Sequence, residues 1–207
     1  IVNAIPFHKE IHGEFISFVE KEFDADKNYK LLDIGVGTGI TSRLVKDKLS
    51  NSDLDVIDFS EQILKGAKEK LGSDTNYMLA DYSKYEFSEN TYDLVFSFIG
   101  LHHQNEKNSY EGSKKMIQKI YKILKKEGYF VLGDLISYND EYEAALNHAK
   151  HYALLVENAT DEQTLKEWSH HHMYLNHLAP VEHLMEWLRE EGLQVQKAFH
   201  QINTGLL

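Results

Sequence analysis

Between Lys30 and Gly133 short apolar runs alternate with amphipathic stretches, five runs in all, and few folds accommodate that order. The runs are Lys30–Gly35 (KLLDIG), Leu54–Asp58 (LDVID), Tyr77–Ala80, Tyr92–Phe98 (YDLVFSF) and Gly128–Gly133 (GYFVLG). Each has the length and composition of a buried strand. Between them, apolar residues recur at helical spacing. One helix runs from near Gly39 to Leu49 with Ile40, Leu44 and Leu49 inward. A second, capped by Ser60 and with Glu61 in its first turn, turns Ile63, Leu64, Ala67 and Leu71 inward. A third covers Tyr110–Leu124, with Ile117, Ile120, Tyr121 and Leu124 inward. Strand–helix alternation of this kind requires right-handed crossovers and a mainly parallel sheet covered on both faces.

The flanks read differently. Phe7, Ile11, Phe15 and Phe18 mark an amphipathic helix ending near Phe23, and Asp24–Asn28 is a polar break. Residues 140–191 are helical throughout, and a last β signal covers Leu193–Phe199 and Ile202–Leu206. A chain of 207 residues is one domain on this reading. Its parts are an N-terminal helical lid (1–29), a core (30–137), a helical insertion (138–191) and a terminal hairpin (192–207).

Composition excludes several classes of function. The 22 basic and 33 acidic residues give a net charge of −11, which opposes binding to a phosphate backbone. The basic stretches Lys114–Lys115 and Lys119–Lys126 fall on one helix and are broken by apolar positions, as on a solvated face. No nucleic-acid partner is expected. The absence of cysteine removes disulfides, thiolate metal sites and thiol nucleophiles, and fits a reducing, cytoplasmic setting. The longest apolar run, Leu94–Leu101, is strand-sized, so no membrane span is expected. Starting at Ile1 and stopping within a β pattern at Leu207, the chain reads as open at both ends.

Chemistry concentrates where the strands end. LLDIGVGTGI (31–40) carries a strand through Gly35, Gly37 and Gly39 into a helix. Glycines suit positive φ and close approach of a ligand to the backbone. The spacing G-x-G-x-G departs from the G-x-G-x-x-G of dinucleotide folds. Asp33 would suit a cationic group such as the amino-acid end of S-adenosylmethionine; the plainer alternative is a turn that packs helix on strand. Asp58 ends the second run and could accept from both ribose hydroxyls, or serve as a helix-start acid before Ser60. Asp81, followed by Tyr82, ends the third and could accept from an exocyclic adenine amine, with Phe59 and Ile99 flanking the purine. Each could also be an ordinary surface acid or core side chain.

Taken in order, LLDIGVGTGI, DVIDFSEQIL, LADYSKYEF, YDLVFSFIGLHH and ILKKEGYFVLGDL make residues 30–135 resemble a class I S-adenosylmethionine-dependent methyltransferase of the small-molecule type. The resemblance implies a Rossmann-like α/β fold: a mainly parallel seven-stranded sheet flanked by helices, its last strand antiparallel, with a helical insertion after the fifth strand. It implies S-adenosyl-L-methionine as cofactor. Asp33, Gly35, Gly37 and Gly39 would line its methionine and ribose side, Asp58 would hold the ribose, and Asp81 with Tyr82 would meet the adenine. It implies methyl transfer to a small-molecule acceptor by direct displacement, with a homodimer as one arrangement open to the enzyme. Residues 134–207 are similar to a narrower group that includes carboxy-S-adenosylmethionine synthase. Where that synthase has a carboxylate-binding arginine this chain has Trp187, with Arg189 two positions on, which argues against the synthase activity. A non-catalytic S-adenosylmethionine-binding protein is a further alternative, and a nicotinamide oxidoreductase is disfavoured by the glycine spacing.

Twelve histidines in 207 residues is a high count, and they cluster. His103 and His102 follow the fourth run, where the family places residues beside the transferred methyl, and are the first candidates for a general base; His172 or His177 come second. A metal site competes with this, although successive residues His170–His172 diverge by about 100° each on a helix. No metal is assigned. For the histidines outside 102–103, packing or exposure is the simpler account. Aromatic residues of the insertion, among them Tyr142, Tyr152, Trp168, Tyr174 and Trp187, would line the acceptor pocket or form core.

Overall fold

The computed structural model describes residues 2–107 and 109–207; Ile1, first residue of the expected lid, lies outside them. The alternation becomes strands β1 (Lys30–Ile34), β2 (Asp53–Asp58), β3 (Thr75–Leu79), β4 (Tyr92–Phe98) and β5 (Leu124–Leu135), followed late in the chain by β6 (Phe199–Gln201) and β7 (Thr204–Leu206). Their order in the sheet is β3-β2-β1-β4-β5-β7-β6. β1 pairs parallel with β2 and β4, and β2 with β3. β7 runs antiparallel to β5 and β6. This is the seven-stranded, mainly parallel sheet expected, with its last strand reversed. The order changes direction between β1 and β4, which opens a crevice at their carboxyl ends.

The chain divides into two compact units, one of residues 12–100 and 118–132, the other of residues 2–11, 101–117 and 133–207. In the first, Leu31, Leu32, Leu54, Val56, Leu94, Val95 and Phe96 are buried because both faces of a parallel sheet are covered. Helices α2 (Ile40–Lys48) and α3 (Glu61–Leu71) supply the crossovers, and most of α1 (His8–Glu22) belongs here. Phe15 of α1 packs on Phe96 and Phe98 with ring centroids 5.3 and 5.0 Å apart. Buried Asp55 is satisfied by Lys30 Nζ at 2.6 Å, the Tyr92 hydroxyl at 2.8 Å and Asn76 Nδ2 at 3.3 Å, as a buried carboxylate must be. Helix α3 starts as expected, the Ser60 hydroxyl accepting from Ile63 N–H.

Three residues assigned inward by periodicity face outward: Leu44, Ile63 and Tyr121 are 36%, 37% and 44% exposed. In α2 the buried stripe is Thr41, Ser42 and Val45, the Thr41 hydroxyl meeting His12 of α1 and the Ser42 hydroxyl Asp33 of β1. Strand β5 begins earlier than the sequence predicts, directly after α4 (Glu111–Ile123). Its passage needs Gly128, where a Cβ would meet the Tyr92 carbonyl oxygen at 2.9 Å.

The second unit holds the end of β5, the β6–β7 hairpin and three helices, α5 (Glu141–Asn158), α6 (Glu162–Tyr174) and α7 (Val181–Glu190). Asp140 and Asp161 cap α5 and α6 by accepting from Glu143 and Thr164 N–H at 2.7 Å. Asn203 Nδ2 donates to the Ile136 carbonyl at 2.9 Å, and the Thr204 hydroxyl to that of Pro6 at 2.8 Å, fixing the hairpin and the N-terminal segment. The β signal at 193–198 is not realised. Leu193 and Val195 are half-buried and the rest exposed, and pairing with the three-residue β7 starts only where Ala198 N–H donates to the Leu206 carbonyl at 2.9 Å, ahead of Phe199–Gln201. Among the described residues no helix is long and apolar enough to cross a membrane.

Candidate functional site

In the first unit the carboxyl ends of β1, β2 and β3 each deliver an acid. Asp33 is 1% exposed and accepts from the Ser42 hydroxyl at 2.6 Å, bracing the first turn of α2. Burial pushes its pKa up to about 7; the Ser42 bond opposes that rise and the nearby Asp58 charge adds to it. Asp58 is 7% exposed, and its Oδ1 accepts from Ser60 N–H at 2.9 Å. Asp81 accepts from the Ser83 hydroxyl and N–H at 2.7 and 2.9 Å and pairs with Lys84 at 3.1 Å. These bonds, the Ser83 hydroxyl first, hold its pKa below the usual carboxylate range against slight burial.

Gly35, Gly37 and Gly39 all have positive φ, at 73°, 52° and 73°. They serve different ends. A Cβ on Gly39 would meet Leu71 at 3.4 Å and Ala67 at 3.5 Å, so that glycine lets helices pack closely. A Cβ on Gly35 would meet nothing within 4 Å, and on Gly37 only the Gly35 carbonyl at 3.9 Å. Open space over a left-handed backbone is what a loop that cradles a ligand requires. Phe59, beside Asp58, is 78% exposed. Ile99, after β4, has φ 53°, a strained conformation for a β-branched residue. Tyr82 is buried, its ring beneath Lys119 and its hydroxyl without a hydrogen-bond partner; burial raises its pKa.

The sequence reading missed His12. It lies on α1 three residues before Phe15; its Nε2 bonds the Thr41 hydroxyl at 2.9 Å and its ring lies 4.8 Å from Phe98. A histidine within an apolar helical stripe was the available signal.

In the second unit the short 3-10 helix Leu101–Gln104 follows Gly100 directly in the sequence. His102 is 2% exposed; its Nδ1 lies 2.6 Å from Asp134 Oδ1, and its Nε2 is buried without a partner. The His103 ring lies 4.0 Å from that of His102 and 5.4 Å from that of His171. His103 keeps part of its surface exposed. Desolvation nevertheless pushes its pKa down to about 4, with repulsion from His102 next and the Asp134 charge opposing. Asp134 was also missed, although it is an acid at a strand end, like the other three.

His172 gathers the remaining rings. Its Nε2 lies 3.0 Å from His148 Nδ1, its ring 4.1 Å from that of His151, and His151 Nε2 bonds the Ala4 carbonyl at 2.8 Å. Tyr152 packs on its edge at 5.3 Å. His177 contributes its backbone carbonyl to Asn105 Nδ2 at 2.9 Å. Among the described residues no group of three or more histidines or carboxylates is arranged to hold a metal ion. Tyr142 and Tyr174, two of the expected pocket aromatics, are 79% and 61% exposed.

Burial pushes the His172 pKa down to about 3, helped by His151, His148, His102 and His171, and burial lowers those of His148 and His151. Histidines depressed on folding leave the unfolded chain binding more protons below pH ~6.5, so stability is full above that pH and is lost as pH falls. Asp33, raised on folding, works in the opposite sense between about pH 4 and 7 but is a single group. The melting temperature should therefore fall by roughly 5 °C from pH 7 to pH 5. Substituting His172→Gln should flatten that slope, as thermal denaturation across pH would show.

Comparison with known proteins agrees with this architecture. Residues 31–128 match the family model described as a methyltransferase domain. The malonyl-[acyl-carrier protein] O-methyltransferase 2 of Ilyobacter polytropus is 38% identical over 76 residues, 36% of this chain and 29% of that protein. The chain thus spans under a third of the length of that relative. The phosphoethanolamine N-methyltransferase of Plasmodium falciparum is 27% identical over 195 residues, 87% of this chain and 70% of that protein. Among solved structures, the phosphoethanolamine N-methyltransferase 2 of Haemonchus contortus in complex with S-adenosyl-L-methionine superposes with a TM-score of 0.61 at 21% identity. It covers 87% of this chain and 36% of that one, a likeness of fold.

Proposed function

We propose that the chain, whose residues 31–128 match a methyltransferase-domain family model, is a class I methyltransferase that transfers a methyl group from S-adenosylmethionine to a small-molecule amine or hydroxyl. The observation that carries the reading is the set of acids ending β1, β2 and β3 around a left-handed glycine loop with open space above Gly35 and Gly37. The residues present fit the cofactor. Gly35 and Gly37 admit its backbone-hugging part, Asp33 lies nearest the loop for a cationic ammonium, and Asp58 offers acceptors to two ribose hydroxyls. Asp81 and the Tyr82 backbone would meet the adenine edge, flanked by Phe59 and Ile99.

Bound there, the sulfonium supplies an already activated methyl, so the protein's tasks are to orient the acceptor, exclude water and receive one proton. Methylation of an amine or hydroxyl would release one hydrogen, and His102 and His103 are the imidazoles we assign to receive it. Leu101 follows Gly100 directly, so both histidines come soon after the β4 carboxyl end. The chemistry of the second unit favours a donor-bearing acceptor. Its buried polar groups include imidazoles and the Asp134 carboxylate, and among the described residues no lysine or arginine is fully buried. That fits a phosphate-bearing acceptor, such as the substrate named for the Plasmodium relative, poorly. Arg189 is exposed at the end of α7, and Trp187 lies 5.7 Å from His183, which favours methyl transfer over a carboxylate-binding synthase role.

The test is release of S-adenosylhomocysteine in the presence of a panel of amines, phenols and alcohols. Turnover with at least one of them, lost in the double variant His102→Gln/His103→Gln, supports the reading; a binding-competent protein inert across the panel speaks for a non-catalytic role. Asp33 adds a pH signature. Its carboxyl holds a proton below about pH 7 in the free protein, and an ammonium partner requires the anion. Affinity for S-adenosylmethionine should therefore rise up to tenfold per pH unit below about pH 7 and level off above it. Calorimetry across pH 5.5–8.5 checks this, and Asp33→Asn should abolish the dependence.

A further inference from the structure

The pair His102–Asp134 divides the labour of the two candidate bases. The His102 imidazole and the Asp134 carboxylate are 1% and 2% exposed as side chains. Three donors converge on that carboxylate. Oδ2 accepts from the His102 backbone N–H at 2.9 Å, and Oδ1 accepts from His102 Nδ1 at 2.6 Å and from Leu135 N–H at 2.9 Å. A carboxylate bonding a ring nitrogen accepts, so Nδ1 carries the hydrogen and the neutral imidazole keeps its lone pair on Nε2. That Nε2 is buried with no protein partner. Orphaned buried acceptors are rare, and each calls for an explanation in function or in a bound donor.

The grip is more than helix capping. Satisfying the His102 N–H at the start of the 3-10 helix needs only Oδ2, and the ring bond through Oδ1 comes in addition. Held at backbone and ring by one side chain, His102 has no freedom to rotate. His103 is held more loosely: part of it is exposed, its ring rests on His102 and His171, and it hydrogen-bonds the Leu175 backbone and no carboxylate. We infer that Asp134 is a positioning residue that locks His102 as the Nδ1–H tautomer, so that the Nε2 lone pair of His102, and not His103, takes the acceptor's proton. This rests on the methyltransferase reading for its purpose, but the tautomer itself does not depend on it.

The experiment is histidine-ring nitrogen NMR on the full chain near neutral pH, with His102 assigned by His102→Gln, beside calorimetric titration of S-adenosylhomocysteine. In the wild type Nδ1 should give a protonated-type and Nε2 an unprotonated-type signal. In Asp134→Asn, whose amide can offer oxygen or nitrogen to the ring, the single tautomer should be lost. S-adenosylhomocysteine affinity should stay within about threefold of wild type. A wild-type hydrogen on Nε2 overturns the inference, as does a tautomer unmoved in Asp134→Asn. Should that variant fail to fold, the wild-type spectrum still decides. An intact Nδ1–H tautomer in a protein that does not bind S-adenosylhomocysteine would sink the cofactor reading instead, so the two failures are distinguishable.

Discussion

Asp58→Ala is expected to weaken S-adenosylmethionine binding by about 100-fold or more, because hydrogen bonds to a charged group are worth about 1.5–3 kcal/mol each and a ribose diol makes two. The loss should be confined to binding. Asp58 also accepts from Ser60 N–H at 2.9 Å, but α3 keeps its Ser60 cap, so folding should suffer by about 1 kcal/mol at most. Asp58→Asn preserves an acceptor for the turn and for one hydroxyl and should fall between wild type and alanine. Calorimetry paired with thermal denaturation separates the two effects; affinity of the alanine variant within about threefold of wild type would remove Asp58 from the site.

Phe15→Ala should be among the most destabilising substitutions available, by about 3–5 kcal/mol, since a fully buried ring is replaced by a cavity. For a chain of this size that lowers the melting temperature by roughly 10 °C. Phe15 holds α1 on Phe96 and Phe98, and His12 reaches Thr41 from the same helix. Loosening α1 should therefore also reduce cofactor affinity. Phe59→Ala is the counterpart: at 78% exposure it should leave stability within about 0.5 kcal/mol and lower affinity alone. Equal stability of the two variants would contradict the packing account.

The unit of residues 12–100 and 118–132 was legible because its signals are local. A parallel strand buried on both faces reads as an apolar run, and Tyr92–Phe98 was placed to the residue. The acids at 33, 58 and 81 and the three glycines followed once the strand ends were placed. Where reading failed, a neighbour distant in sequence decided. Leu44 fits its helical stripe but faces outward, because Ser42, bonded to the Asp33 carboxylate, takes an inner position of α2; in α3 the inner positions go to Leu64, Ala67 and Leu71, leaving Ile63 outward. The stretch 193–198 has strand-like alternation, but the short β7 reaches only its last residue, Ala198. His102 was visible as a candidate, but its partner Asp134 lies 32 residues away on β5, a pairing that no spacing encodes. The same holds for His172, whose partners His148 and His151 belong to another helix.

Calorimetric titration of S-adenosylmethionine into the wild-type protein tests the central claim most directly. One-to-one binding in the micromolar range, about −8 kcal/mol, is the predicted result. A folded wild-type protein that takes up neither S-adenosylmethionine nor S-adenosylhomocysteine at millimolar concentration, a free energy weaker than about −4 kcal/mol, would contradict the account.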